Sequence, residues 1–326
     1  MKVTIRLTKI ILLTLIGFTT LYCSDSDGNP PLPEPQNIVE IAVNEPDLSN
    51  LVAALSAADG DLASLLSGGN YTLLAPTNFA FDLFLTANGF ASLDEVPSDL
   101  LRTILLNHVI SGSVSSTDLI NANSGYTTTN ATNLDGDNLS LYYDTSDGVQ
   151  FNGFSSVVLA DLVGSNGIVH IVNEVIGLPT VATFATSNPE FSTLVSALTR
   201  EDHSTDYVSV LSSNTEIATV TVFAPTNTAF ESFFSELELD SINVIPLPIL
   251  EATLDTHLVY NANVRSEDLT DSMSIATVGT PLTVSLSVGP QLIDSQGRVA
   301  NIIAVDVQAY NGVIHVIDKV VFPDLP

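Results

Sequence analysis

The chain repeats itself, and this constrains its fold more than any other feature. Asn-Glu-Pro-Asp-Leu-Ser-Asn-Leu-Val-Ala-Ala-Leu at 44–55 answers Ser-Asn-Pro-Glu-Phe-Ser-Thr-Leu-Val-Ser-Ala-Leu at 187–198, an offset of 143 residues. Thr-Leu-Leu-Ala-Pro-Thr-Asn-Phe-Ala-Phe at 72–81 answers Thr-Val-Phe-Ala-Pro-Thr-Asn-Thr-Ala-Phe at 221–230, offset by 149. His108 answers His257 at the same 149, and Asn-Gly-Ile-Val-His-Ile-Val at 166–172 answers Asn-Gly-Val-Ile-His-Val-Ile at 311–317 at 145. Four matches in one order describe a tandem duplication, with the length changes confined to loops between the blocks. One domain is expected over about 37–178 and a second over about 180–326, joined at Gly177–Thr180 by too little chain to hinge far.

Within each copy the pattern is mixed. Leu48, Leu51, Val52 and Leu55 fall at i, i+3, i+4, i+7, one face of a helix that Pro46 is suited to start. Tyr71–Ala75 and Val220–Ala224 are β-prone runs stopped by Pro76 and Pro225, and the following Thr-Asn is an N-cap for a short helix carrying Phe79, Phe81 and Phe84. Tyr126–Val158 and Ser274–Val307 are rich in Thr, Ser, Val, Leu and Tyr and broken by Asp-Gly and Gly-Pro, the pattern of antiparallel strands. Ile168–Val172 and Val313–Ile317 close each unit as strands expected to continue into Val175–Ile176 and Val320–Phe322. Each unit is therefore α+β of the segregated kind, helices first and sheet after.

The N-terminus carries Lys2, Arg6 and Lys9 ahead of a mostly apolar run from Ile10 to Leu21, which reads as an export signal over residues 1–22. Cys23, the only cysteine, follows at once, and the segment resembles a bacterial lipoprotein signal in which Cys23 is the lipidated first residue of the mature chain. Tyr22 stands where such signals carry a small residue. Ser24-Asp-Ser-Asp27 resembles the surface-export tag of Bacteroidetes lipoproteins, and the Pro-rich stretch to residue 36 reads as a stiff tether. Without the leader, five basic residues face 37 acidic ones, a net charge of −32 that excludes nucleic acid and anionic membrane as electrostatic partners. The membrane is then reached only through the lipid anchor. A folded part without any thiol has neither disulfides nor thiolate chemistry.

The Thr-x-Phe-Ala-Pro-Thr-Asn-x-Ala-Phe block, a His about 27 residues on, and a closing Asn-Gly-Val-Ile-His-Val-Ile-Asp-x-Val together resemble the fasciclin domain, in both copies. The resemblance implies two tandem wedges, each of two small β-sheets with helices packed alongside, in an extracellular or cell-surface adhesion protein without established catalysis. In animal members, a Tyr-His pair and an Asp-Ile element upstream of the closing strand are linked to integrin contact. Carried over, the histidines are His108 and His257, and the Asp-aliphatic pairs are Asp161-Leu162 and Asp306-Val307. The Tyr is absent, being Asn107 and Thr256, which weighs against integrin as the partner. A His between apolar residues at a helix end is more often a buried hydrogen-bonding group, and His170 and His315 face either side of their strands on pattern alone.

Other chemistries find little support. Asp59-Gly-Asp61, Asp135-Gly-Asp137-Asn138 and Asp144-Thr-Ser-Asp147-Gly148 lack calcium-hand spacing and read as solvated turns, with weak calcium binding expected only as charge relief. The five histidines make no zinc-ligand set, so neither metal nor cofactor is expected. There is no Gly-x-Ser-x-Gly elbow or phosphate loop, and Lys319 is the only lysine past the leader, so no enzyme is expected. The reading is a lipid-anchored envelope protein, outer-membrane and surface-facing, contacting cell-surface or matrix proteins or polysaccharides. The alternatives are a carbohydrate- or small-ligand-binding accessory protein and a passive spacer.

Overall fold

The computed structural model describes residues 35–58, 60–213 and 219–324. Cys23, the leader, the tether up to Glu34 and Asp59 lie outside the described residues. Domain 1 runs α1 (Ile38–Asn44), α2 (Ser49–Ala57), α3 (Leu62–Gly68), β1 (Tyr71–Pro76), α4 (Asn78–Ala87), α5 (Ser98–Leu106), β2 (Val109–Ser111) and α6 (Ser116–Ala122). Then come β3 (Ser124–Thr132), β4 (Asn138–Asp144), β5 (Gln150–Phe151), β6 (Ser155–Gly164) and β7 (Gly167–Val172). Domain 2 repeats the order with α7 (Val181–Ser187), α8 (Ser192–Leu198), α9 (Tyr207–Ser212), β8 (Val220–Pro225), α10 (Asn227–Glu236), α11 (Leu247–Thr256) and β9 (Leu258–Tyr260). A 3-10 turn at Ser266–Asp268 stands in place of α6, before β10 (Ser274–Ile275), β11 (Leu282–Ser285), β12 (Gln291–Ile293), β13 (Val299–Ala309) and β14 (Gly312–Ile317).

Local chemistry sets these elements. Asn37 caps α1 with Glu40 returning the bond, a reciprocal box that Thr180 and Thr183 repeat on α7. Thr77 and Thr226 accept from the amides of Ala80 and Ala229, so each strand that stops at proline turns straight into a helix. Leu48, Leu51 and Leu55 are buried on the face the spacing marked out, although a 3-10 turn over Pro46–Leu48 precedes α2 proper. Of the aromatics on α4, Phe81 is buried while Phe79 is 66% exposed.

Each domain is a wedge of two small sheets, mixed α+β as its sequence pattern indicates. In domain 1, β2-β1-β7-β6 forms one and β3-β4-β5 the other, and pairings of β2 with β3 and β5 with β6 close them into a barrel. In domain 2, β13 serves both sheets and the order β10-β11-β12-β13-β14-β8-β9 stays open. The closing strands lie parallel to β1 and β8, from Tyr71 opposite Gly167 to Pro76 opposite Val172, and from Val220 opposite Gly312 to Ile317 opposite Pro225. They stop at Val172 and Ile317 instead of running on into 175–176 and 320–322. The apolar residues beyond are buried as irregular chain, because a histidine side chain takes the backbone N–H that a strand neighbour would have taken.

The two domains interlock. Tyr142 of β4 is buried in the helix-facing core of domain 2, and Tyr310 of the β13–β14 turn packs against that of domain 1. Tyr126 meets Phe184 edge-on at 5.6 Å and its hydroxyl accepts from Asn188 Nδ2. Gln308 N–H donates to Ser140 Oγ at 2.9 Å, Tyr310 N–H to Pro179 O at 2.7 Å, and Arg265 pairs with Asp137 at 3.1 Å.

At the start of each closing strand the backbones leave no room for a side chain. A Cβ on Gly312 would sit 1.9 Å from the Val220 carbonyl oxygen, and one on Gly167 equally close to that of Tyr71. Gly312→Ala is therefore expected to cost about 3 kcal/mol in urea unfolding, through forced separation of β14 from β8. Gly68→Ala, at the end of α3 with nothing within 4 Å of its Cβ, is expected to leave the midpoint unchanged or raise it slightly.

Candidate functional site

The carboxylates singled out in the sequence sit at matching kinks. The β6–β7 ladder slips between Leu159 and Leu162, and the β13–β14 ladder between Ala304 and Val307. Asp161 and Asp306 occupy these bulges with φ of 60° and 56°, a left-handed conformation held by side-chain bonds. Asp161 accepts from Ser116 N at 2.9 Å and from the Ser116 hydroxyl, which holds its carboxyl below the usual range. Asp306 accepts likewise from Ser266 N at 2.8 Å and from the Ser266 hydroxyl. Each bulge is thus tied to the first turn of the segment after β2 or β9.

The two sites differ in access. The Asp161 side chain is 38% exposed. Asp306 lines a polar recess between the domains together with Asp137, Arg265 and Gln308, and Val307 is buried in the domain 2 core. Leu162 is half-buried against the domain 1 core. Around the bulges the outer faces carry exposed apolar residues, Val158, Leu159 and Val163 on β6 and Ile303 and Val305 on β13, of which Val158 and Ile303 occupy equivalent positions.

The histidines all face inward. His108 Nδ1–H donates to Ile104 O at 2.8 Å and its Nε2 accepts from Ile176 N at 2.9 Å. His257 bonds Thr253 O at 2.7 Å and Val321 N at 3.1 Å in the same way. The pattern needs the neutral ring, and burial lowers both pKa values from 6.5 to about 4. They join the helix end to the exit segment. His170 Nε2–H donates to Val114 O at 2.9 Å while Nδ1 accepts from Asp161 N at 3.2 Å, so the neighbouring Ser116, Asp161 and His170 contain no free base. His315 Nε2–H donates to Val264 O at 2.8 Å, its ring stacks on Phe223 at 5.6 Å, and burial lowers its pKa.

Other acidic motifs serve the fold. Asp61 caps α3 through Ser64 N, and Asp144 accepts from Ser146 N inside its turn. Asp137 is not a solvated turn residue: it holds Arg265 and Asn263 of domain 2 at 3.1 and 3.0 Å. Its partners lie more than 120 residues away, so no local spacing marks it. Among the described residues no group of three or more His, Cys, Asp or Glu is placed to hold a metal, and no single helix is long and apolar enough to cross a membrane.

Two stacked α+β wedges, each closed by a buried His-bearing strand beside a bulged aspartate, define a tandem pair of one duplicated domain. The fasciclin domain model matches residues 46–179 and 189–323, and the chain belongs to the fasciclin family. An uncharacterized Synechocystis protein is 32% identical over 141 residues, covering 43% of this chain and 96% of that one. The cell surface glycolipoprotein MPB83 of Mycobacterium bovis is 42% identical over 83 residues, 24% of this chain and 36% of its own length. The transforming growth factor-beta-induced protein ig-h3 of Oryctolagus cuniculus is 26% identical over 233 residues, 69% of this chain and 31% of its own. The solved FAS1 domain pair of the insect cell adhesion molecule fasciclin I shares the fold, with a TM-score of 0.50 at 20% identity over 86% of this chain and 97% of that one.

The buried rings make stability pH-dependent. His108 and His257 stay neutral in the fold down to about pH 4, whereas the unfolded chain takes up protons near pH 6.5. Stability is therefore full above pH 6.5 and falls as pH drops toward 4, by about 3 kcal/mol per ring. Urea unfolding at pH 7.5 and 4.5 checks this, and ring NMR signals of both histidines are expected to keep neutral-form shifts to pH 5.

Proposed function

We propose that this protein is a lipid-anchored, surface-facing envelope adhesin that contacts cell-surface or matrix proteins or polysaccharides without catalysis. The observation that carries the reading is the exposed apolar outer face of the bulged strand. Val158, Leu159 and Val163 flank Asp161, and Ile303 and Val305 precede Asp306, all exposed in an otherwise acidic surface. Apolar side chains left in water beside the bulge in both copies, with Val158 and Ile303 at equivalent positions, mark an interaction surface. Family membership supports the same reading, as do a relative named a cell surface glycolipoprotein and a fold neighbour described as a cell adhesion molecule. Of the two Asp-aliphatic elements, Asp161-Leu162 is the one open to a large partner, since Asp306 is half-buried in the recess at the domain junction and Val307 is buried. His108 and His257 contribute by holding the exit segments rather than by touching a partner. The anchor is Cys23, with residues 24–36 as tether, and calcium acts as diffuse charge relief.

Beads carrying the chain from residue 24 onward are expected to bind cells or immobilised matrix polymers saturably, beyond an unrelated acidic control. Val158→Ser/Val163→Ser is expected to reduce binding at least fivefold, and Asp161→Ala more than Asp306→Ala. Binding no better than the control, with or without calcium, would leave a passive spacer.

A further inference from the structure

Two copies of one fold in one chain provide an internal comparison. In domain 2 the groove between α10 and the exit segment is narrowed to a recess of about 380 Å³ bordered by Glu236, Arg298 and Phe322. Phe322 packs on Phe233 at 5.6 Å, and the Arg298 guanidinium lies 4.9 Å above the Phe322 ring. Arg298 is held there by Glu236 at 3.4 Å and Asp294 at 2.9 Å. Domain 1 removes each filler. Gly177 stands at the position of Phe322, Ala87 at that of Glu236, and Leu83 at that of Ser232. The turn that supplies Arg298 is four residues shorter, since Phe151 pairs with Ser155 where Leu292 pairs with Ala300.

What remains is a cleft of about 710 Å³ walled by Leu83, Phe84, Ile104, Phe154 and Leu178, and completed by Tyr310 of domain 2. A Cβ placed on Gly177 meets no atom within 4 Å, so the space reaches the backbone. Phe154 is 44% and Leu83 39% exposed, an apolar surface that domain 2 does not present at its Ser232. The volume is that of a small-ligand site, and junctions between domains are where such sites form. Glu174 is the only charged residue lining the cleft, and its carboxylate has no hydrogen-bond or ion-pair partner among the described residues. A lone carboxylate on an apolar wall is complementary to a positive head group, and the acidic chain draws cations toward it.

We propose that this interdomain cleft is a binding site for a cationic amphiphile, its apolar body against Phe84, Phe154 and Tyr310 and its ammonium group on Glu174. The site is separate from the outer face of the bulged strands, so the adhesion result does not bear on it.

Isothermal titration of the chain from residue 24 onward with decylamine, decanol and decanoate tests it. Decylamine is expected to bind once per chain and at least tenfold more tightly than either of the others. Gly177→Phe, which restores the domain 2 filler without altering the melting temperature, is expected to weaken decylamine at least tenfold. Glu174→Gln is expected to bring decylamine level with decanol. Should Gly177→Phe unfold the domain, Ala87→Phe on the exposed face of α4, a plug that adds no charge, reads the same loss. No saturable decylamine binding, binding untouched by both plugging variants, or an amine preference that survives Glu174→Gln overturns the proposal. A concentration-dependent dimer in sedimentation that decylamine cannot dissociate overturns it as well, by assigning the cleft to a second copy.

Discussion

Everything in each domain is positioned by one strand that has no solvent face. All six residues of β7 and all six of β14 are buried, with a parallel neighbour on one side and an antiparallel one on the other. The strand enters through an Asn-Gly corner whose two residues do different work. Asn166 accepts from Ile38 N and donates to Leu66 O and Gly69 O, joining the start of α1 to the end of α3, and Asn311 joins Val181 to Leu211. The glycine lets the chain pass against a carbonyl that excludes any Cβ. The strand's middle histidine then reaches the loop after β2 or β9, and in domain 1 its ring also takes the amide of the bulge aspartate. A change at the corner is thus felt at the helices, the parallel pair and the bulge together, because buried polar groups with no alternative partner carry a high penalty.

This explains which features were legible in the sequence. The duplication, the proline-stopped strands, the Thr caps and the closing blocks depend on local chemistry, and they appear where the residues indicate. The apolar runs Val175–Ile176 and Val320–Phe322 have the pattern of strand continuations, and the structure makes them irregular. An apolar run reports burial, not the identity of the group that bonds its amides. Here that group is a histidine 68 and 64 residues away, respectively. Asp137 was hidden for a similar reason, since Asp-Gly reads as a turn whether or not an arginine from the other domain comes to meet it. The bulge aspartates were found by resemblance, while the difference in their exposure arises only from how the domains stack.

The copies have diverged in where they place arginine. Of the four arginines among the described residues, three lie in domain 2 and each organises a neighbourhood. Arg200 donates to the carbonyls of Ile242 and Ile245, Arg298 to Val320 O, and Arg265 gathers Asp137, Glu267 and Asp268. In so acidic a chain a guanidinium is a scarce means of bringing carboxylates and orphan carbonyls together, and its planar fork suits it to several at once. Domain 1 has only Arg102, and it leaves open the groove that Arg298 covers in its sister.

The exchange of tyrosines shows why the pair is one unit rather than two beads. Tyr142 leaves domain 1 to complete the core of domain 2, and Tyr310 does the reverse. Either domain cut free would expose a large aromatic and leave a cavity in the other, the kind of change that costs several kcal/mol. The same exchange makes Tyr310 the end wall of the apolar cleft and places Asp306 beside Asp137 and Arg265. Duplication supplied two related faces; interlocking them half-buried Asp306, left Asp161 open, and formed between the domains a concavity that neither possesses alone.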